Sequence, residues 1–196
     1  MILINMKGYL NQLVTILRGR RREDIMETVG VRIKGTAALL VHRFIIENSV
    51  EARRRDQQYD VKEDAEKALY SNGTGCFVPS TWLEACLREA SKSFKGKGRS
   101  SMKSTIVSSI FVTPEEIPLG KMTYDEIDIR PVVIQKNRIA RARPRFNTWN
   151  IGFEIEFDET KVRRETLRQI LEEAGKSTGI GDYRPKFGRF EIIGFE

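Results

Sequence analysis

The densest set of chemically useful side chains is a run of cations between residues 130 and 145. No acid interrupts this run, which consists of Arg130, Lys136, Arg138, Arg141, Arg143 and Arg145. Arg141, Arg143 and Arg145 are two residues apart, so in a strand their guanidinium groups would share one face. Like charges that close are destabilising unless an anion neutralises them, and a guanidinium matches a phosphate bidentately. The spacing therefore predicts a surface for a phosphate backbone, or else a solvated hairpin paired with acids elsewhere in the chain. Phe146 and Trp149 would either stack on bases or pack in the core.

Two glycine-containing loops carry further cations. Residues 92–103 contain no acid and hold Lys95, Lys97 and Arg99 beside two glycines, which is typical of either a non-specific phosphate contact or an exposed linker. Residues 179–190 (GIGDYRPKFGRF) combine turns that could form an anion nest with aromatic and basic side chains, namely Tyr183, Arg184, Lys186, Phe187 and Arg189. This second loop lacks the Walker pattern, and its glycines follow a predicted helix instead of a strand, so it is not a nucleotide-binding fingerprint. It is a phosphate-binding candidate or a tight turn into the last strand.

Residues suited to catalysis or metal binding are few. The chain has one histidine, His42, and two cysteines, Cys76 and Cys86, whereas a structural zinc site takes about four such ligands. His42 could act as a general base, but no spacing of nucleophile, histidine and acid accompanies it. We therefore predict no metal, no cofactor and no enzymatic activity, with His42 as a weak catalytic candidate.

Composition bounds the class of partner. The 196 residues carry 34 Lys and Arg against 27 Asp and Glu, a net charge of +7. This excess favours a polyanionic partner, although it could also serve solubility. No run of about 18 apolar residues and no signal-peptide pattern is present, so we expect no membrane partner. Free thiols indicate a reducing compartment, and we expect a cytoplasmic protein.

The elements that would position these residues follow a recognisable order. Residues 1–28 form a predicted N-terminal helical appendage, and residues 29–196 form the main domain. Strands are predicted over residues 29–44, 106–112, 126–135, 138–145, 149–157 and 190–195, and helices over residues 61–70, 80–94 and 160–174. This is an α+β, ferredoxin-like or RRM-like β-α-β-β-α-β order, with an antiparallel sheet, a basic hairpin and an insertion after the first strand. Helices cover one face of such a sheet, and in RRM-type proteins the other face holds single-stranded nucleic acid.

Two segments resemble a known family. Residues 77–88 (FVPSTWLEACLR) resemble the segment that opens the first helix in the RAMP superfamily, the RRM-fold proteins of CRISPR effector complexes. Residues 179–192 (GIGDYRPKFGRFEI) resemble the glycine-rich loop and last strand of that superfamily. Glu84 and Ala85 replace the usual basic residue and glycine of the first motif, so the chain looks like a distant relative or a stand-alone one from a phage or mobile element.

The resemblance implies binding of RNA or single-stranded DNA and assembly as a homo-oligomer or a subunit of a ribonucleoprotein. Backbone subunits of such complexes place a basic hairpin and the insertion after the first strand on the nucleic acid. These features correspond here to Arg138, Arg141 and Arg143, and more loosely to Arg53, Arg54 and Arg55. Some relatives cut RNA with a histidine or an aspartate after the first strand, which would correspond to His42 and Asp56.

The sequence thus predicts a non-enzymatic protein that binds single-stranded nucleic acid, with cooperative assembly along the strand. A metal-independent endoribonuclease of the same superfamily is one alternative. A structural or virion assembly protein with a basic face is another.

Overall fold

The computed structural model describes residues 26–44, 60–96, 98–134 and 137–196. Several predicted features lie outside these ranges, so their placement stays a prediction: most of the N-terminal appendage, Arg53, Arg54, Arg55, Asp56, Lys97 and Lys136. In chain order, the described elements are β1 Met26–Gly35, β2 Leu39–Leu40, α1 Val61–Lys67, β3 Ser71–Asn72, β4 Gly75–Pro79, α2 Ser80–Ala90, α3 Lys103–Ser109, β5 Ile110–Thr113, β6 Glu116–Pro118, β7 Glu126–Ile134, β8 Asn137–Phe146, β9 Asn150–Asp158, α4 Arg164–Glu173 and β10 Phe190–Phe195.

The main sheet has four strands in the order β10-β1-β9-β5, and each neighbouring pair is antiparallel. Helix α2, followed by α3, leads from β1 to β5, and α4 leads from β9 to β10. The predicted α+β, ferredoxin-like β-α-β-β-α-β architecture is therefore confirmed. The insertion after the first strand contains β2, α1, β3 and β4.

Alternating side chains give this sheet one buried and one exposed face. In β1, Val29, Val31 and Ile33 are buried, while Arg32 and Lys34 between them are exposed. Strand β9 has the same alternation, as expected for period-two side chains on a half-covered sheet. Apolar residues of α2 and α4 close the core over the buried face, including Leu83, Leu87, Leu167, Ile170 and Leu171.

The basic hairpin is formed by β7 and β8, which lie between β5 and β9 along the chain. It joins β2 in a separate three-stranded sheet, with Leu39 opposite Phe146 and Leu40 opposite Arg145. Helix α1 fixes the other end of β8, because a carboxylate oxygen of Asp64 accepts a hydrogen bond from the Ala142 amide at 3.1 Å.

Two predicted strands were wrong in extent. The strand predicted over residues 29–44 ends at Gly35, where the Trp149 indole packs so closely that a side chain would not fit. The chain then turns, and β2 joins the hairpin sheet instead. The run predicted as a strand over residues 106–112 is helical until Ser109, and only Ile110–Thr113 is a strand. Burial of Ile106 in the core overrides the β propensity of this segment.

Candidate nucleic-acid interface

The three alternating arginines of β8 are each paired with a carboxylate of the same chain. Arg141 lies 3.5 Å from Asp64 of α1, Arg143 lies 2.5 Å from Asp182 of the glycine-rich loop, and Arg145 lies 3.5 Å from Glu126 of β7. At these three positions the acid-free run is therefore neutralised by carboxylates from outside it, which is the alternative of a hairpin paired with acids elsewhere. These pairings could not be predicted from the sequence, because two of the three acids come from elements far away along the chain.

Arg143 is an internal residue of this network. It is only 5% exposed, and its guanidinium carbon lies 4.8 Å from the centre of the Tyr183 ring. Burial is the largest single influence on the pKa of Asp182 and would raise it, but the hydrogen bonds from Arg143 and the Tyr183 amide, together with the charges of Arg143 and His42, lower that pKa overall, so the pair is ionic. In this arrangement Arg143 holds the glycine-rich loop against the hairpin and does not face solvent.

Arg130 of β7 completes a stack of cations and rings. Its guanidinium carbon lies 5.1 Å from the Tyr183 ring centre and 4.8 Å from that of Phe187, while Asp128 accepts two hydrogen bonds from it. Two guanidinium groups therefore already contact Tyr183, the ring predicted to stack on bases. Phe146 and Trp149, left as candidates for stacking or core packing, are both buried, at 0% and 3% exposure.

Other predicted cations are exposed and have no ion pair with a described residue. Three of them belong to the glycine-rich loop, namely Arg184, Lys186 and Arg189. Arg138 near the hairpin tip and the loop residues Lys95 and Arg99 are exposed in the same way. The positive charge available to a ligand thus lies on the loops and the hairpin tip, while the hairpin's central arginines are engaged.

A cavity of about 700 Å³ lies where the hairpin, the glycine-rich loop and α2 meet. Its wall combines basic, hydroxyl and aromatic side chains, among them Arg88, Val132, Ser177, Thr178, Tyr183 and Arg184. Arg88, Ser177 and Thr178 were not predicted as site residues, because exposed polar residues next to a helix give no signal of what folds against them. The sequence had marked only the glycine-rich loop.

The second basic loop, residues 92–103, lies near the same cavity, because its Lys92 donates a hydrogen bond to Glu89, which is part of the cavity wall. The pKa of Glu89 is lowered first by its hydrogen bond from Lys92, and also by the nearby charges of Lys103 and Arg88. These cations therefore gather around one end of α2. Two of the three basic clusters predicted from sequence, the glycine-rich loop and residues 92–103, therefore lie at the wall or the edge of this cavity. The third, the hairpin, contributes Val132 to the wall.

Backbone contacts hold the glycine-rich loop in place. The Asp182 amide donates to the Leu40 carbonyl at 2.9 Å, and the Gly188 amide donates to the Ala38 carbonyl at 2.8 Å. Tyr183 adopts a positive φ of 57°, a conformation that costs a non-glycine residue of order 1–3 kcal/mol unless its surroundings enforce it. The loop is thus a fixed platform that presents Arg184 and Lys186 outward.

His42 lies at the inner edge of the hairpin network. Its pKa is lowered, first by burial and then by Arg143 and Arg141, while Asp182 and Asp64 oppose the shift. The imidazole is therefore neutral near pH 7. No group of three or more His, Cys, Asp or Glu side chains that could hold a metal occurs in the described part of the chain.

The open face of the sheet differs from the predicted nucleic-acid platform. Its exposed or half-exposed acids are Glu154, Glu156, Glu191 and Glu196, and its bases are Arg32 and Lys34. Arg32 is already 3.3 Å from Glu196. The unneutralised charge on this face is mainly negative, so it would repel a phosphate backbone.

Comparisons with known proteins support the fold. No protein-family model matches the sequence, and no curated protein sequence matches it. One similar solved structure is a chain in the cryo-EM structure of the Type III-B Cmr-beta bound to cognate target RNA, with a TM-score of 0.53 and 10% identity over 97% of the present chain and 66% of that chain. The present chain therefore spans just under two thirds of its length. Another is the crystal structure of Cmr6 from Pyrococcus furiosus, with a TM-score of 0.46 and 9% identity over 84% of the present chain and 97% of that one.

At these identities, the first likeness shows a shared fold and nothing further, and the second is too weak to carry an argument. The chain has the ferredoxin-like architecture predicted from its sequence. Within the described ranges, no helix has the length and apolar character needed to cross a membrane.

Proposed function

We propose that this protein binds single-stranded nucleic acid, RNA or DNA, as a distant relative of the RAMP superfamily. Contact is made by the loop cations around the α2 cavity, chiefly Arg184, Lys186 and Arg189. Arg88 and the hydroxyl group of Thr178 would receive a phosphate or sugar inside the cavity, whereas the Ser177 hydroxyl already donates to the Glu173 carbonyl at 2.9 Å and would only accept.

One observation carries this proposal: the cations of the glycine-rich loop are exposed and without an ion pair to a described residue, on a loop that hydrogen bonds fix beside a cavity. In the hairpin, by contrast, Arg130, Arg141, Arg143 and Arg145 each already have a carboxylate partner. Cations held without an anionic partner gain free energy when they displace counterions from a phosphate chain. A fixed loop also loses little conformational entropy on binding.

The proposal is tested by fluorescence anisotropy with labelled 20-nucleotide oligo(U), oligo(dT) and a duplex of equal length. Arg184→Ala with Lys186→Ala should weaken binding to both single strands at least tenfold and lower the salt slope by about 1.4, since each lost contact removes ~0.7. The matched control is Arg32→Ala with Lys34→Ala, which removes the same two charges from the open face. Equal losses in the two variants would show that net charge, and not this loop, determines binding.

The duplex separates this proposal from a structural or virion role. A scaffold that merely neutralises packaged nucleic acid need not prefer single strands. We expect the single strands to bind at least fivefold more tightly than the duplex, and equal affinities would favour the scaffold.

We also propose that the protein does not cut its ligand. A metal-independent endoribonuclease would act through His42 or Asp56; Asp56 lies outside the described residues, and His42 is neutral and close to Arg141 and Arg143. Labelled RNA incubated with the wild type in EDTA should stay intact. Cleavage that is lost in His42→Gln would instead establish the ribonuclease.

We also propose that copies of the protein assemble along the strand through the hairpin. On β7, Ile129 and Val133 are 53% and 69% exposed, so the hairpin offers apolar surface to another subunit. Size-exclusion chromatography with light scattering, with and without oligo(U), should show more than one copy per long oligonucleotide. A single copy on a 60-nucleotide strand would contradict this.

A further inference from the structure

The side of the main sheet away from the helices is uncovered in the described part of the chain. Its side chains come from all four strands, in rows set by the strand register. Phe111 of β5 lies beside Glu156 of β9, and Thr113 lies beside Glu154. Glu154 faces Gly30 of β1 across the next pair of strands. This face takes no part in the interface proposed above.

The free charges of this face are three acids and one base, Lys34, which lies opposite Glu191 in the sheet. Glu154, Glu156 and Glu191 have no ion pair and no side-chain hydrogen bond with a described residue. Arg32 is engaged by Glu196, at 3.3 Å. In a chain whose net charge is +7, this uncovered face carries surplus negative charge and would attract a cationic segment.

The middle of the face is hollow. A cavity of about 600 Å³ is lined by three glycines, one from each of β1, β9 and β10: Gly30, Gly152 and Gly194. Its remaining wall includes Arg32, Thr113, Pro114 and Glu154. A Cβ atom added at Gly30 would meet no other atom within 4 Å, whereas one added at Gly194 or Gly152 would meet the Arg32 side chain at 2.9 or 3.7 Å, so the open part of the hollow lies over Gly30. Glycines in a strand interior often mark a place where another backbone approaches closely.

We propose that this face docks an extended segment of another protein that carries arginine or lysine at every second position. Residues two apart in β9 are separated by about 6.6 Å along the strand. Cations with the same spacing in an extended segment would therefore lie opposite Glu154 and Glu156. The glycine-lined hollow receives the backbone of the segment, and Phe111, which is 52% exposed, contacts an apolar part of it.

The experiment uses the full chain and a fluorescein-labelled peptide, SRTRSRTRS, with SETESETES as its acidic counterpart. In low salt the basic peptide should bind the wild type and the acidic one should not. Glu154→Lys with Glu156→Lys should weaken the basic peptide at least tenfold. The matched control, Glu66→Lys with Glu172→Lys, makes the same change of charge on exposed helical residues and should lower affinity less than threefold.

Equal losses in the two variants would overturn the proposal, because attraction would then depend on net charge alone. Failure of the basic peptide to bind the wild type would also overturn the proposal. Circular dichroism spectra that match the wild type would show that both variants are folded. Since binding of oligo(U) uses the opposite side, the Glu154→Lys, Glu156→Lys variant must bind oligo(U) at least as well as the wild type.

Two further results would assign the face to a different occupant and so overturn the proposal. The first is a concentration-dependent dimer of the wild type that Glu154→Lys with Glu156→Lys dissociates in sedimentation velocity, which would identify a second copy. The second is a higher peptide affinity in Arg20→Glu with Arg21→Glu, which would identify the basic run of the chain's own N-terminal residues as a competitor.

Discussion

Arg143 is 5% exposed and hydrogen bonded to Asp182, whereas Arg184, on the same loop as Asp182, is exposed and has no ion pair with a described residue. The two side chains carry the same group, yet their surroundings give them different roles. A buried guanidinium that already contacts a carboxylate stabilises the fold. One that lacks a partner is available to a phosphate.

This contrast predicts opposite mutational effects. Arg143→Ala removes one partner of a largely buried pair and should cost about 2–3 kcal/mol of unfolding free energy, less than the 3–5 of a fully buried pair because Asp182 is partly exposed. Arg184→Ala should change stability by less than about 0.5 kcal/mol. Urea denaturation of both variants measures this. Similar costs would mean that Arg184 also has a structural partner.

His42 predicts how stability depends on pH. Its pKa is lowered in the fold from 6.5, so the unfolded chain takes up a proton first as pH falls. The stability that a neutral His42 contributes is fully present above pH 6.5 and is lost as pH falls through the folded-state pKa. His42→Gln should therefore reduce the fall in melting temperature between pH 7 and pH 5. An unchanged slope would show that groups other than His42 cause the pH dependence of stability. Asp182 is not one of them in this range, because its lowered pKa affects stability only below about pH 4.

At the scale of elements, the hairpin and the glycine-rich loop are joined side chain by side chain. Arg143, Tyr183, Arg130 and Phe187 form a stack of alternating cations and rings. The loop is also hydrogen bonded to the segment around β2. These contacts explain why a loop with several glycines holds one conformation.

Gly188 tests that packing. Its φ is +71°, and a Cβ atom there would overlap the carbonyl group of Ile180. Gly120 has a nearly identical φ of +67° but open space around it. Gly120→Ala should therefore cost only about 1–2 kcal/mol for the backbone conformation, while Gly188→Ala should cost at least about 2 kcal/mol more because the loop must move. Thermal unfolding compares them, and equal costs would contradict the close packing of the loop.

At the scale of the molecule, the described charges are segregated. Arg184 of the glycine-rich loop and Arg88 line the α2 cavity, and surplus acids occupy the open face of the sheet. A phosphate chain should therefore bind the loops and avoid the open face, unlike the mode expected for an RRM-type sheet.

Substitutions that remove negative charge from the open face test whether a phosphate chain avoids that face. Glu154→Gln with Glu156→Gln should leave the affinity for oligo(U) unchanged or raise it slightly, because long-range repulsion is screened at physiological salt. Anisotropy titrations in 150 mM salt measure the effect. A loss of more than about threefold would place those carboxylates in the nucleic-acid interface.

The sequence by itself determined the architecture and the chemical class of the loops. Strict alternation in β9 and the apolar stripe of α2 are local patterns, so they can be read without knowing their neighbours. The glycine-rich loop was likewise recognisable, because its glycines and cations are contiguous. The ends of β1 and β5 were missed, since Trp149 and the burial of Ile106 decide them from elsewhere in the fold.

Only the tertiary structure decided which charges are free. Asp64 and Asp182 are far in sequence from Arg141 and Arg143, so no spacing rule could pair them. The acidic character of the open face was hidden for the same reason, because its carboxylates come from separate strands that only the sheet register brings side by side. Charge is a property of the residue, but its availability depends on the groups that folding brings within a few ångströms.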